Sequence, residues 1–485
     1  MNFSGLYYIN EDGLVISFNP KIQKNLGLSL CSKGEFVFNR SIKQRFYLFY
    51  HKNRVYVTKR IRSFLDFKRN EISVSLDSSL FYQKFGFIYP PYTLYNNIFL
   101  MSPFVGFRII DGKVDVSTLP FESLKKDDDD PLTYSGINLD AHIKGLLARF
   151  VDKSLTQSKT SHLSVLFSGG IDSSVLLALT KDKRHFDCAY TCNMPTLQSE
   201  IEKSKLMCEY AKVNQAIIDV PADLECEAER FLEYSLEPIQ DNIAPVLSYV
   251  YREIGSRAAK KDFNLDSYYL LDGQGADSLL SGLPHDKVYR AYKIISRVPG
   301  LRSVLKFLPQ SFKRERSRLL YRIFKALSAL SAENAQSMLV NALIENKEVN
   351  LKSDNRVLSY MNQELNELCC VYDDFHMVIR YFFMFRVLPA REMQKYVNVP
   401  SGINILLPFL DDEVVSELFF TPSNKLIRNG IFKAPMVHIA KSHWPSFFSK
   451  SKTSPFAVFY KVGSTNIVEY SLTGLKRLVG NSESS

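Results

Sequence analysis

The sequence predicts an α/β protein in two parts, an N-terminal α+β region of short antiparallel strands and a larger region built on a parallel sheet with helical additions. Three observations carry that expectation. Residues 1–120 are rich in Phe, Tyr, Val and Ile in short runs, as at 45–50, 54–57 and 106–110. Turn residues such as Glu11-Asp12-Gly13 and Asp111-Gly112 separate several of these runs, the pattern of strands and hairpins. From Asn138 the period changes, and Ile143, Leu146, Leu147, Phe150 and Val151 trace one face of a helix capped by Asn138. A buried-strand run, Ser164-Val165-Leu166-Phe167, then passes through Ser168-Gly169-Gly170 into a helical stretch at 173–179. That succession is the βα unit of a parallel sheet.

Further strands are expected at 188–192 and 215–220 with a helix at 199–212 between them, and residues 230–400 read as mostly helical. The block Lys125-Lys126-Asp127-Asp128-Asp129-Asp130-Pro131 is the best linker candidate. The expected division is therefore a domain at 1–120, a linker at 121–137 and a domain at 138–485, which suits a chain of 485 residues.

An apolar share of 46% with 23% charged residues is that of a folded chain rather than a disordered one. No charge-free apolar run is long enough for a membrane span; even the stretch 377–388 carries Arg380 and Arg386. Residues 1–15 include Glu11 and Asp12 and lack the basic-then-apolar order of a signal peptide, so the expected compartment is the cytoplasm. Seven scattered cysteines agree with a reducing environment, and Cys188 and Cys192 read as small buried hydrophobes. His162, His285, His438 and His443 share no ligand spacing.

The formal charge of +10 leaves nucleic acid, a membrane surface or an acidic substrate open as partners. Much of the excess lies at 297–325, where basic and apolar residues interleave as an amphipathic helical pair broken at Pro309. Such a face is either solvated or a dock for an acidic partner.

Two segments carry chemistry. In Ser168-Gly169-Gly170-Ile171-Asp172-Ser173-Ser174 the glycines let the backbone approach an anion, while hydroxyls and helix-start amides supply donors. Without a Gly-Lys-Ser/Thr ending this is not the loop used for γ-phosphoryl transfer. Asp172 beside phosphates calls for a divalent cation, so it is assigned to Mg²⁺. The second segment, Tyr268-Tyr269-Leu270-Leu271-Asp272-Gly273-Gln274-Gly275-Ala276-Asp277, is again a strand feeding a glycine turn. Asp277 is the candidate second Mg²⁺ ligand; the bland alternative is a capping Asp at a strand end.

Both segments resemble the synthetase domain of the asparagine synthetase family. The family pattern continues in Leu407-Pro408-Phe409-Leu410-Asp411 and Asn429-Gly430-Ile431-Phe432-Lys433, in the expected order. The resemblance implies an ATP-pyrophosphatase domain that forms an acyl-adenylate and passes the acyl group to a nitrogen. It also implies roles: Lys433 meets the α-phosphate, Leu166 and Gly273 border the adenine, Ser168 with its glycines and hydroxyls meets the pyrophosphate, and Gln274 stands at a catalytic position.

Departures from the family narrow this expectation. Glutamine-using members begin with a catalytic cysteine after the initiator methionine; here that residue is Asn2 and the first cysteine is Cys31. The first region still resembles a glutaminase domain, as at 75–106, but an asparagine cannot replace a thiolate, so no glutaminase activity is expected. Asparagine-forming members carry a glutamate where this chain has Gln274, which cannot serve as a base. Leu406 and Val437 stand where arginines are usual. This pattern resembles the β-lactam and carbapenam synthetases and the macrolactam synthetases of lasso peptides, whose nucleophile is an amine of the same substrate. The expected partners are then a carboxylate substrate bearing an amine, either a small molecule or a precursor peptide, and a biosynthetic partner protein. Three readings compete: an ammonia-dependent amidotransferase, a pyrophosphatase acting on nucleic acid, which lacks any recognisable RNA-binding module here, and an inert ATP-binding scaffold. The segment Glu237-Pro238-Ile239-Gln240-Asp241, with Tyr249, partly resembles a family segment near the substrate pocket.

Overall fold

The computed structural model describes residues 5–9, 15–17, 28–32, 35–38, 45–52, 54–68, 72–110, 113–118, 138–156, 162–183, 186–194, 198–221, 223–261, 263–307, 318–400, 402–444, 461–462 and 465–480. Asn2, the turns at 11–13 and 111–112, the expected linker at 121–137 and Pro309 lie outside the described residues. The chain separates into two compact units, Met1–Lys126 with Ser281–Arg391, and Asp127–Leu280 with Glu392–Ser485.

In chain order the strands of the first unit are β1 (Gly5–Ile9), β2 (Val15–Ser17), β3 (Leu28–Ser32), β4 (Glu35–Phe38), β5 (Phe46–His51), β6 (Arg54–Thr58), β7 (Ile98–Met101), β8 (Val105–Ile110) and β9 (Lys113–Thr118). They form one sheet in the order β2-β1-β6-β5-β7 and another in the order β3-β4-β8-β9. The pairs β3–β4, β5–β6 and β8–β9 are antiparallel, as the short runs predict. One pair departs from that expectation: β1 lies parallel to β6, with Gly5 opposite Arg54 and Tyr8 opposite Val57. Parallel neighbours cannot be joined by a tight turn. Here residues 10–53 form the long connection, by way of β2 to β5, and no local pattern announces it. Residues 46–50 of β5 are all buried, which explains why its sequence is continuously apolar rather than alternating.

The rest of this unit is helical, as expected. The basic segment contributes the helices Leu301–Phe307 and Arg318–Leu330 on either side of residues outside the description. A buried ion pair organises the interior. Arg386 donates from Nε to both Glu364 oxygens at 2.9 and 2.8 Å, from Nη1 to Pro103 O at 2.7 Å, and from Nη2 to Tyr381 Oη at 2.8 Å. Tyr89 donates to the same carboxylate at 2.6 Å.

His285, packed against Phe383, titrates far from its usual range: burial, with Lys325 and Arg391 nearby, pushes its imidazole down to about 3. Its ordinary value is 6.5, so between 6.5 and about 3 the unfolded chain binds a proton that the folded chain refuses. Stability from this residue is complete above that window and falls as the pH drops through it. Urea unfolding at neutral and mildly acidic pH checks this: His285→Gln should reduce the loss of stability between pH 7 and 5 by up to about 2 kcal/mol. An unchanged loss contradicts the assignment.

The second unit is built on a parallel sheet of β10 (His162–Leu166), β11 (Phe186–Asn193), β12 (Gln215–Asp219), β13 (Tyr268–Leu271) and β14 (Ile403–Leu406), ordered β12-β11-β10-β13-β14. Every pair in it is parallel. The expected helix begins at Leu139 with Asn138 as its cap, the Asn138 side chain accepting from the amide of Ala141. Register in the sheet is pinned by buried hydroxyls, since Tyr268 Oη lies 2.8 Å from Ser164 Oγ and donates to Tyr190 Oη at 3.0 Å. Val246, Val250, Tyr251, Ile254 and Ala258 line one face of the helix Ala244–Lys260 and pack into the core with Tyr190, Ile218 and Leu270. Each large side chain so buried contributes about 1.5–3 kcal/mol. The sheet confirms the α/β class, and no helix among the described residues is long and apolar enough to cross a membrane.

Candidate active site

From β10 the chain moves outward to β11 and β12, then returns to β13 on the other side of β10. The winding direction of the sheet therefore switches between β10 and β13. Ligands of open parallel sheets bind at such a point, outside the carboxyl ends of the strands. Both glycine turns start there, Ser168-Gly169-Gly170 just beyond β10 and Asp272-Gly273-Gln274-Gly275 directly after β13.

In the first turn the Gly170 amide donates to Ser168 Oγ at 3.2 Å, and the Ser168 amide lies 3.4 Å from Ser173 Oγ. The following helix, Ile171–Thr180, begins earlier than the apolar pattern suggests, so Asp172 stands in its first turn rather than in the loop. First-turn amides have no acceptor within the helix and face outward as anion donors. Ser174 is buried, and its hydroxyl donates to Gly170 O at 2.6 Å, a bond that ties the turn to the helix. Leu166, at the end of β10, is half-buried against the sheet core.

The second turn needs its glycines for close approach. A Cβ on Gly273 would sit 3.0 Å from Asp172 Cβ, which is how the two turns come together. At Gly275 the φ of 94° is left-handed and a Cβ would fall 2.2 Å from Leu410 Cδ2. Leu410 belongs to the third sequence motif, whose part in the fold thus becomes visible: it packs on the second turn. Asp411 in the same motif caps the next helix by accepting from the Glu413 amide at 3.1 Å. Asp272 holds the turn from within, accepting from the Gln274 amide at 3.1 Å and from Tyr396 Oη at 2.6 Å.

Lys433 completes the group. It has a left-handed φ of 50°, immediately before the helix Ala434–His443, and such backbone strain in a residue with a side chain clusters at functional sites. Its Nζ lies 2.7 Å from both oxygens of Asp172 and 2.6 Å from Asp277 Oδ1. Both carboxylates therefore reach one atom. Lys433 is 7% exposed, whereas the Asp277 side chain is 54% exposed. Burial alone would lower the Lys433 ammonium, but the two carboxylates outweigh it and hold it above its ordinary value. Burial raises the Asp172 carboxyl, with Asp277 adding to the rise and Lys433 opposing it.

Two carboxylates, through three hard oxygens, converge here on one cation, at present an ammonium. That donor set fits Mg²⁺ whose other positions are filled by phosphate oxygens. Among the described residues no group of three or more His, Cys, Asp or Glu forms a metal site from protein ligands alone.

A family model described as asparagine synthase matches residues 142–477 of the chain. The chain belongs to the asparagine synthase family. Membership carries the coarse assignment of an ATP-dependent, amide-forming carbon–nitrogen ligase. Comparison with curated proteins returns no match. Among solved structures, a similar chain is the NH3-dependent NAD synthetase from Campylobacter jejuni subsp. jejuni NCTC 11168 in complex with the nitrate ion, at 13% identity and a TM-score of 0.24, over 50% of this chain and 93% of that one.

Sequence reasoning passed over one part of this family member's site. Gln274 Nε2 donates to Glu392 Oε2, and Gln274 Oε1 accepts from Lys395 Nζ. Neither Glu392 nor Lys395 lies in a recognisable motif. The available signal was the polar run Glu392-Met393-Gln394-Lys395-Tyr396 following a long apolar stretch. Gln394 binds the segment at 237–241, accepting from the Gln240 amide at 2.7 Å and donating to Pro238 O at 2.8 Å and Glu237 Oε2 at 3.2 Å. His438 contacts Asp140 and His376 contacts Asp286, so these imidazoles serve local packing. Burial pushes the thiols of Cys188 and Cys192 up to about 11 and about 12, which makes them poor nucleophiles.

Proposed function

We propose that this chain activates a substrate carboxylate as its acyl-adenylate, releasing pyrophosphate, and transfers the acyl group to an amine to form an amide or lactam without using glutamine. The observation that carries the reading is the meeting of Asp172, Asp277 and Lys433 at one atom beside two glycine turns at the sheet's switch point.

In this reading Ser168, Gly169, Gly170, Ser173 and Ser174 form the wall that receives the phosphates, and Leu166 with Gly273 borders the base. Asp172 and Asp277 would hold Mg²⁺, which neutralises phosphate charge when bound. Lys433 meets the α-phosphate and stabilises negative charge as the carboxylate oxygen attacks phosphorus and pyrophosphate departs. The protein's task is mostly placement of the reactants. An amine carried by the substrate itself supplies the nitrogen without an ammonia source.

Lys433→Ala tests the role of the ammonium. The variant should fold and bind ATP, because Asp172 is only part-buried and the turns keep their glycines. Amide formation should fall on the order of 100- to 1000-fold, the range for losing one preorganised charge donor. Product formation at the wild-type rate removes Lys433 from the mechanism.

A further inference from the structure

One side of the helix Pro284–Ile295 is buried, through Asp286 and Tyr292. The other side is exposed at Lys287, Arg290, Lys293 and Ile294, whose spacing of three and four places them on one face. The exposure runs on through Arg297, Val298, Pro299 and Gly300 into the helix Leu301–Phe307, where Ser303, Val304, Lys306 and Phe307 are exposed. Arg302 fastens this second helix to the first, donating to Tyr292 Oη at 3.2 Å and to Glu333 O at 2.8 Å.

Among the described residues eleven large apolar side chains are exposed, and five of them lie within 294–323: Ile294 at 59%, Val298 at 49%, Val304 at 58%, Phe307 at 89% and Ile323 at 43%. Scattered exposed apolar residues need no explanation, whereas a concentration of them marks a contact surface. The charge around them has a single sign. From Lys287 to Phe307 the sequence holds six Lys or Arg and no Asp or Glu. Glu333, at 3.2 Å from Lys306 Nζ, offsets one of these charges. Cations interspersed with bare aliphatic side chains match the interface of an anionic bilayer, where lipid phosphates meet the basic groups and apolar tips sink to the acyl boundary. A nucleic acid would satisfy the charges and leave Ile294, Val298 and Val304 without a partner, since those side chains neither stack nor hydrogen-bond. An acidic peptide helix would need a groove. Here residues 297–300 are all exposed, so the surface stands out rather than recedes.

We infer that the surface formed by residues 287–307 binds the face of an anionic lipid bilayer. Arg290, Lys293 and Arg297 meet the lipid phosphates, and Ile294, Val298 and Val304 enter the headgroup layer. The contact is peripheral, since the apolar side chains are few and cations surround them. Binding of this kind needs nothing from the glycine turns, so it stands or falls apart from the adenylate reading.

Cosedimentation of the full chain with vesicles tests this. Equimolar phosphatidylglycerol and phosphatidylcholine vesicles should bind the protein at about 0.1 M salt and bind it less at about 1 M, where the charges are screened. Vesicles of phosphatidylcholine alone should bind at least about tenfold more weakly. Arg290→Gln, Lys293→Gln and Arg297→Gln combined should weaken binding to the anionic vesicles about 100-fold, near fivefold for each charge. The replaced side chains are exposed, so the urea midpoint stays at the wild-type value and lost binding is not lost fold. Ile294→Trp reports entry of the apolar tips: its emission should shift to the blue on anionic vesicles, over a background from Trp444, which is already buried. Equal binding to both kinds of vesicle, unaltered binding by the triple variant, or binding to single-stranded RNA in place of vesicles overturns the inference. An unshifted emission from the vesicle-bound Ile294→Trp variant overturns it as well.

Discussion

Asp172→Ala and Asp277→Ala each reduce magnesium-dependent ATP–pyrophosphate exchange by on the order of 100- to 1000-fold. Each side chain supplies half of the acidic pair that now meets Lys433 Nζ at 2.6–2.7 Å. Removing either leaves the other carboxylate against Lys433, so the fold is retained and the loss falls on metal-assisted nucleotide binding. Calorimetry of ATP binding with and without Mg²⁺ separates the effects: both variants should lose most of the affinity gained on adding the metal. Wild-type exchange in either variant rules out that carboxylate as a ligand. Asp277 is the sharper case, because its exposed side chain makes a stability explanation untenable.

The largest expected effect on stability lies in the first unit. Glu364→Ala should destabilise the protein by about 3–5 kcal/mol, the cost of leaving a buried charge without its partner. Arg386 has no exposed surface, and Glu364 accepts from its Nε with both oxygens. Tyr89→Phe removes a single donor to that carboxylate and should cost about 1 kcal/mol. Urea unfolding of the two variants checks the ordering. A Glu364→Ala loss below that of Tyr89→Phe contradicts the account of this network.

What the sequence made legible was whatever is local. The strand at 162–166, its glycine turn and the helix behind it are written in adjacent residues, as is the Asn138 cap. The turn after β13 was equally plain. Contacts that depend on sheet order were not. The approach of Gly273 to Asp172 exists because β13 returns beside β10, and no spacing along the chain encodes that return. The parallel pairing of β1 with β6 escaped notice because each strand is as short and apolar as a hairpin arm. Glu392 and Lys395 were invisible for a related reason. They meet Gln274 across more than a hundred residues, and a lone acid or lysine is usually a solvated charge. In the third motif, a pattern recognised for its family likeness turned out to include a packing contact, Leu410 on Gly275.

The account stands on attack of a carboxylate at the α-phosphorus. An acid labelled with oxygen-18 in its carboxylate, turned over with ATP and followed by mass spectrometry, reports this directly. One labelled oxygen should appear in AMP, with unlabelled pyrophosphate as the other product. Label in inorganic phosphate together with ADP would mean attack at the γ-phosphorus and would contradict the roles given to Asp172, Asp277 and Lys433.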